Sequence, residues 1–156
     1  MPGIGLADCC LSESMPPSRH RHPRERRRGT DVLIVDDTVD AREMYAEYLA
    51  AHGFRVATAR DGESGISAAT ASRPGVIVMD LAMPKIDGIT AIRHLKSDAR
   101  TQDVPVILLT GYPFKAIEDG ALEAGADAFL TKPCLPEDLE AHVQRLLDTR
   151  PPTTTA

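Results

Sequence analysis

Residues Gly75 to Gly88 read GVIVMDLAMPKIDG: four consecutive apolar residues, Val76 to Met79, run into an acid, Asp80, and then into a loop punctuated by Pro84 and Gly88. A continuous apolar run of this length, rather than an alternating one, is the pattern of a strand covered on both faces, as in a parallel sheet. Asp80 then sits at the strand's carboxyl end. In open α/β sheets that edge is where ligands bind, so Asp80 is the first candidate for chemistry.

The pattern recurs on both sides of this stretch. Val32 to Val35 form an apolar strand closed by Asp36-Asp37, and Phe54 to Ala59 a short second one. Val104 to Leu109, with Pro105 near its start, form a fourth closed by Thr110-Gly111; Ala128 to Leu130 form a fifth closed by Thr131-Lys132-Pro133. Helical spacing fills the gaps. After a cap at Asp37 or Thr38, Met44, Tyr45, Tyr48 and Leu49 repeat on one face, and Gly53 stops the helix. An Asp61-Gly62 turn leads into an Ala-rich helix, Glu63 to Ser72, in which Gly65 should cost about 1 kcal/mol relative to Ala. The third helix carries Ile89, Ile92 and Leu95, and the fourth runs from about Lys115 to Ala124 before Gly125. The last starts at Pro136 and runs to about Leu147, with Leu139, Val143, Leu146 and Leu147 on one face. Five strands alternating with five helices through short connections imply one doubly wound α/β domain: a parallel sheet with helices on both faces.

The 156 residues suffice for one such domain with tails. We place it at 30–148, between an N-terminal extension, 1–29, and a polar C-terminal tail, 149–156. The extension combines Pro, Ser, His and Arg without periodic apolar positions, so it is expected to be disordered. It holds six arginines against Asp8, Glu13 and Glu25, which leaves an acidic body behind a basic arm. No uncharged apolar run approaches the roughly 20 residues of a membrane span. MPGIGLADCCL lacks the basic start and apolar length of a signal peptide, so the chain reads as cytoplasmic. Cys9, Cys10 and Cys134 are an odd set without CxxC spacing, which argues for free thiols over a disulfide framework or zinc site. His94 and His142 fall on helices as surface or packing residues.

In a parallel sheet all strand carboxyl ends share one rim, so Asp36, Asp37, Asp80, Thr110 and Lys132 should converge there. Crowded carboxylates raise one another's pKa values, which calls for a bound cation; an oxygen-only donor set favours Mg²⁺ over zinc. Asp80 can then act as a nucleophile towards phosphorus, forming an acyl phosphate. Lys132 would neutralise charge on the transferring group and Thr110 donate a hydrogen bond to it. Taken singly, Asp36-Asp37 could be only a helix cap, Thr110 a strand-end residue and Lys132 a solvated cation. Their joint placement favours chemistry.

VLIVDD, VIVMDLAMPKIDG, VILLTG and FLTKP, in this order and spacing, resemble the receiver domain of two-component response regulators over about residues 30 to 148. The resemblance implies a flavodoxin-like fold with strand order 2-1-3-4-5. It implies that Asp80 is the phosphoacceptor, and that Asp37, Asp80 and the carbonyl of Ala82 ligate Mg²⁺, with Asp36 helping largely through water. Thr110 and Phe129 become the coupled switch residues, Lys132 the partner of the phosphoryl group, and the Lys132-Pro133 peptide is expected to be cis. Phe129 lacks the hydroxyl of the Tyr often found there. Ala82 and Tyr112, at two positions that tune dephosphorylation in the family, offer no acid or amide to orient water, which implies slow loss of the phosphoryl group.

The function expected on this basis is a phosphorylation-controlled switch, not a turnover enzyme, supplied by a sensor histidine kinase or a histidine phosphotransfer protein. With only a short tail after the last helix, it would act as a single-domain regulator through the face made by the fourth helix, fifth strand and fifth helix. One alternative is a phosphohydrolase with an aspartyl nucleophile, which would usually carry a second Asp where Ala82 stands. Another is a nucleic-acid-binding regulator acting through the segment SRHRHPRERRRG.

Overall fold

The computed structural model describes residues 29–149, so the expectations placed on the Arg-rich arm and on the C-terminal tail from residue 150 lie outside the described residues. Strands and helices alternate: β1 (Val32–Val35), α1 (Val39–Ala51), β2 (Val56–Ala59), α2 (Gly62–Ser72), β3 (Val76–Asp80), α3 (Gly88–Ser97), β4 (Val106–Thr110), α4 (Lys115–Ala124), β5 (Ala128–Thr131) and α5 (Pro136–Thr149). The sheet order is β2-β1-β3-β4-β5 with every pairing parallel, the flavodoxin-like order expected.

The register is what builds a site. Val35 pairs with Met79, Asp80 with Leu109 and Thr110 with Thr131, so the polar residues that close β1, β3, β4 and β5 meet along one rim. Beneath them the sheet is apolar on both faces, as the unbroken runs require: β1, β3 and β4 are buried throughout. Leu33, Ile77, Met79 and Leu108 pack towards Ile92, Leu95 and Ala121 of α3 and α4. Ile34, Val78, Ile107 and Leu109 pack on the other side, towards Tyr45 and Leu49 of α1 and Leu139 and Val143 of α5.

Several expectations shift in detail. β2 starts at Val56 rather than Phe54, and β4 at Val106 rather than Val104 because Pro105 has no N–H to give the ladder. The anticipated Asp61-Gly62 turn is the start of α2: Asp61 Oδ1 accepts the Ser64 N–H at 2.8 Å while Ser64 Oγ meets the Asp61 N–H at 3.3 Å, a reciprocal capping box. Thr38 occupies the N-cap position of α1 but makes no side-chain cap bond. Asp36 Oδ1 accepts the Thr38 N–H at 2.9 Å instead. Met44, placed on the apolar face of α1, is exposed, and Tyr45 and Leu49 carry that face. Gly65, which costs helix propensity, lies where α2 closes on β1; a Cβ there would stand 2.8 Å from a methyl of Val35.

Candidate functional site

β1 and β3 deliver Asp36 and Asp80 to the rim with side chains turned inward, 2% and 6% exposed, while Asp37 faces solvent. Each of the three can offer a carboxylate oxygen within 4.8 Å of the others. Lys132 enters from the end of β5: its Nζ is 3.1 Å from Asp36 Oδ2 and 3.4 Å from Asp80 Oδ1. One ammonium thus serves two buried carboxylates, with a third nearby. That charge balance leaves the pocket short of positive charge, which suits a hard divalent cation bound through oxygen.

The electrostatics follow from the placement. Burial, together with the Asp36 charge, pushes the Asp80 carboxyl from its usual range up to about 6, against the pull of Lys132. Burial alone would lower the Lys132 pKa, but its bonds to Asp36 and Asp80 outweigh that and raise it. Asp80 is therefore mostly ionised at neutral pH and still held at an energetic cost.

Backbone contacts fix the frame around these groups. The Lys132 N–H donates to Thr110 O at 2.7 Å, tying the end of β5 to that of β4. Thr110 is fully buried, and its Oγ1 accepts the Tyr112 N–H at 3.0 Å, so the hydroxyl proton remains to be donated elsewhere. The loop after Asp80 is closed by two bonds, Leu81 N–H to Leu109 O and Gly88 N–H to Leu81 O, and Ala82 is exposed within it. Only glycine fits at position 88, since a Cβ would collide with the Asp80 carbonyl oxygen. Asp87 caps α3 by accepting the Thr90 N–H at 2.8 Å. The Lys132-Pro133 peptide is cis. Phe129 is half-buried and packs against the cluster on the α3 and α4 side of the sheet.

Of the five rim residues singled out in the sequence, Asp36, Asp37 and Asp80 form one carboxylate cluster, Lys132 pairs with two of them, and Thr110 closes the neighbouring strand β4 at the same rim. Two further residues hold it from α1. Arg42 Nη1 donates to Asp36 O at 2.8 Å, and the Tyr45 hydroxyl donates to Cys134 O at 2.7 Å. Neither role is visible in the sequence, where Tyr45 reads as part of an apolar face and nothing singles out Arg42. Cys134 is a half-buried free thiol whose pKa is raised by burial, as expected of an unreactive one. Among the described residues no helix is long and apolar enough to cross a membrane.

Known proteins share this fold. Residues 32–144 match the response regulator receiver domain family. The transcriptional regulatory protein PrrA of Mycobacterium tuberculosis is 40% identical over 125 residues, which is 80% of this chain and 53% of PrrA. The chain spans about half the length of the curated relatives it matches. The chemotaxis protein CheY4 of Vibrio cholerae superposes with a TM-score of 0.72 at 30% identity, covering 76% of this chain and 98% of CheY4. The receiver domain of the sensor histidine kinase PA1611 from Pseudomonas aeruginosa PAO1, with a magnesium ion coordinated in its active site cleft, superposes with a TM-score of 0.72 at 28% identity, covering 78% of this chain and 99% of that one. With the match spanning nearly the whole described fold, the chain belongs to the response regulator receiver domain family, the signalling switches of two-component systems.

Proposed function

We propose that this receiver accepts a phosphoryl group on Asp80 from the phosphohistidine of a sensor kinase or phosphotransfer protein, and that other proteins read its occupancy. The observation that carries this reading is the placement of the Lys132 ammonium within 3.4 Å of both Asp36 and Asp80, at the rim where the buried Thr110 closes β4. An ionised Asp80 oxygen attacks phosphorus; the P–N bond of the donor breaks and the imidazole nitrogen keeps its electron pair, leaving an acyl phosphate. Lys132 turns from the carboxylate pair to the phosphoryl oxygens, and Thr110 donates its proton to one of them. Asp36, Asp37, Asp80 and the Ala82 carbonyl would hold Mg²⁺, an assignment supported by the three convergent carboxylates and by the magnesium ion in the PA1611 relative. The ion, when bound, supplies charge neutralisation for the transferring group.

Thr110 and Phe129 are the proposed reporters of phosphorylation. Phe129 has no hydroxyl, so its movement would be governed by packing alone. The output would pass by protein contact through α4, β5 and α5, and action in the cytoplasm is part of the same proposal. Ala82 and Tyr112 provide no group to orient water, so the acyl phosphate is expected to decay slowly; a half-life of seconds in purified protein would count against that. The phosphohydrolase alternative lacks its second acid at Ala82, and the nucleic-acid alternative rests on residues outside the described part. The direct test is incubation with acetyl phosphate and Mg²⁺, and with the histidine kinases of the host. A hydroxylamine-sensitive phosphoryl adduct at Asp80, absent from Asp80→Asn, is expected. Failure of every donor to label the wild type would sink the reading.

A further inference from the structure

Lys132 lies in a short segment, Lys132-Pro133-Cys134, that leaves β5 through a cis peptide before α5 begins. Such a segment can place a charged side chain reproducibly only if its backbone is held on both sides of that side chain. On the near side the hold is the Lys132 N–H bond to Thr110 O at 2.7 Å. Pro133 has no N–H to offer. On the far side the hold is a side chain from α1: the Tyr45 hydroxyl donates to Cys134 O at 2.7 Å, across 89 residues of sequence.

Tyr45 itself is 3% exposed and packs with Leu49, Leu139 and Val143 between α1, α5 and the sheet. Phenylalanine would fill the same space. A buried hydroxyl costs free energy unless it is bonded, so packing does not account for the oxygen; its bond to the loop carbonyl does. The same helix grips the other half of the site. One turn earlier Arg42 Nη1 donates to Asp36 O at 2.8 Å, so α1 holds the backbone carbonyls beside both members of the Asp36–Lys132 pair.

We propose that Tyr45 is a positioning residue for phosphoryl transfer, its hydroxyl fixing the β5–α5 turn so that the Lys132 ammonium reaches the Asp80 carboxylate and the incoming phosphoryl group. The proposal rests on the phosphoacceptor reading above. It acts through Lys132 and touches neither the carboxylates nor the site for a cation, so it separates two measurable quantities. Tyr45→Phe is expected to slow labelling of Asp80 by acetyl phosphate about three- to tenfold, the rate equivalent of one neutral hydrogen bond. Affinity for Mg²⁺, measured by titration calorimetry, is expected to stay within about twofold of wild type, since Asp36, Asp37 and Asp80 keep their frame.

The experiment compares wild type and Tyr45→Phe in labelling rate and Mg²⁺ affinity, with thermal unfolding and the circular dichroism spectrum as checks on folding. A slower rate with unchanged Mg²⁺ affinity supports the proposal. An unchanged rate overturns it. So does a parallel loss of rate and Mg²⁺ affinity, or a variant that fails to fold, because either marks Tyr45 as a general support of the core. A wild type that takes no label refutes the phosphoacceptor reading itself, an outcome distinct from all of these.

Discussion

Replacing Asp80 by asparagine is expected to stabilise the metal-free protein. Asp80 is 6% exposed beside Asp36, with the shared Lys132 ammonium 3.4 Å away. Burial and Asp36 move its pKa from 3.8 to about 6. A shift of that size disfavours the ionised native state by about 3 kcal/mol at pH 8 and by about half as much at pH 5. The sign follows from proton counts. Between the unfolded value, near 4, and the folded one, near 6, the native state binds more protons than the unfolded chain, so stability falls as pH rises through that window and levels off above it. The amide removes this penalty but also the Lys132–Asp80 contact, leaving Lys132 on Asp36 at 3.1 Å. A net gain of about 1–3 kcal/mol at pH 8 is expected, or about 4–12 °C in Tm for a domain of this size. Urea unfolding of both proteins in EDTA at pH 5 and pH 8 reads it directly. The gap should be smaller at pH 5, and at pH 8 it should narrow with Mg²⁺, which stabilises only the state that binds it. A variant no more stable than wild type at pH 8 in EDTA refutes the idea that crowded carboxylates strain the rim.

Lys132→Ala should lower the initial rate of Asp80 labelling by about 100-fold or more, the usual consequence of removing a preorganised charge partner, without lowering Mg²⁺ affinity. Rate and calorimetric titration together check this. Gly65→Ala should destabilise the fold by about 1–3 kcal/mol in urea unfolding, because the clash with Val35 outweighs the gain in helix propensity. Gly88→Ala should both destabilise and slow labelling, since its Cβ must displace the Asp80 carbonyl and with it the end of β3; normal labelling by a destabilised variant would separate the two effects and refute the link.

The fold was legible because the three central strands, β1, β3 and β4, are built on unbroken apolar runs, and a sheet covered on both sides demands that. Residues that close such runs have one place to go, so the convergence of Asp36, Asp80, Thr110 and Lys132 could be read from strand ends alone. Local competition blurred the boundaries. Asp61-Gly62 carries turn chemistry, yet Asp61 and Ser64 cap each other and begin a helix. Met44 has an apolar side chain at helical spacing, but the face of α1 turned to α5 and the sheet is centred on Tyr45 and Leu49. Gly65 reads as a cost until Val35 is seen pressed against it. The grips of Arg42 and Tyr45 were illegible for a different reason. Their acceptors are backbone carbonyls, which every residue possesses, so nothing in the identity of Asp36 or Cys134 announces the contact.

The proposed switch can be bounded energetically. A phosphoryl group shifts a conformational equilibrium only by contacts that differ between the two states, so relief of carboxylate repulsion at Asp80, common to both, does not count. Driving a population from 1:99 to 99:1 takes about 5.5 kcal/mol. The Thr110 hydroxyl, buried and with its proton free to donate, can supply about 1.5–3 kcal/mol as a bond to a charged group. Lys132 can supply a similar amount if it reaches the phosphoryl oxygens fully in only one state. Together these approach the requirement with little to spare. Phe129, half-buried and without a hydroxyl, adds only packing. Correct delivery of Lys132 is then a condition of switching and not only of phosphoryl transfer, which gives the Tyr45 hydrogen bond behind it a second reason to matter.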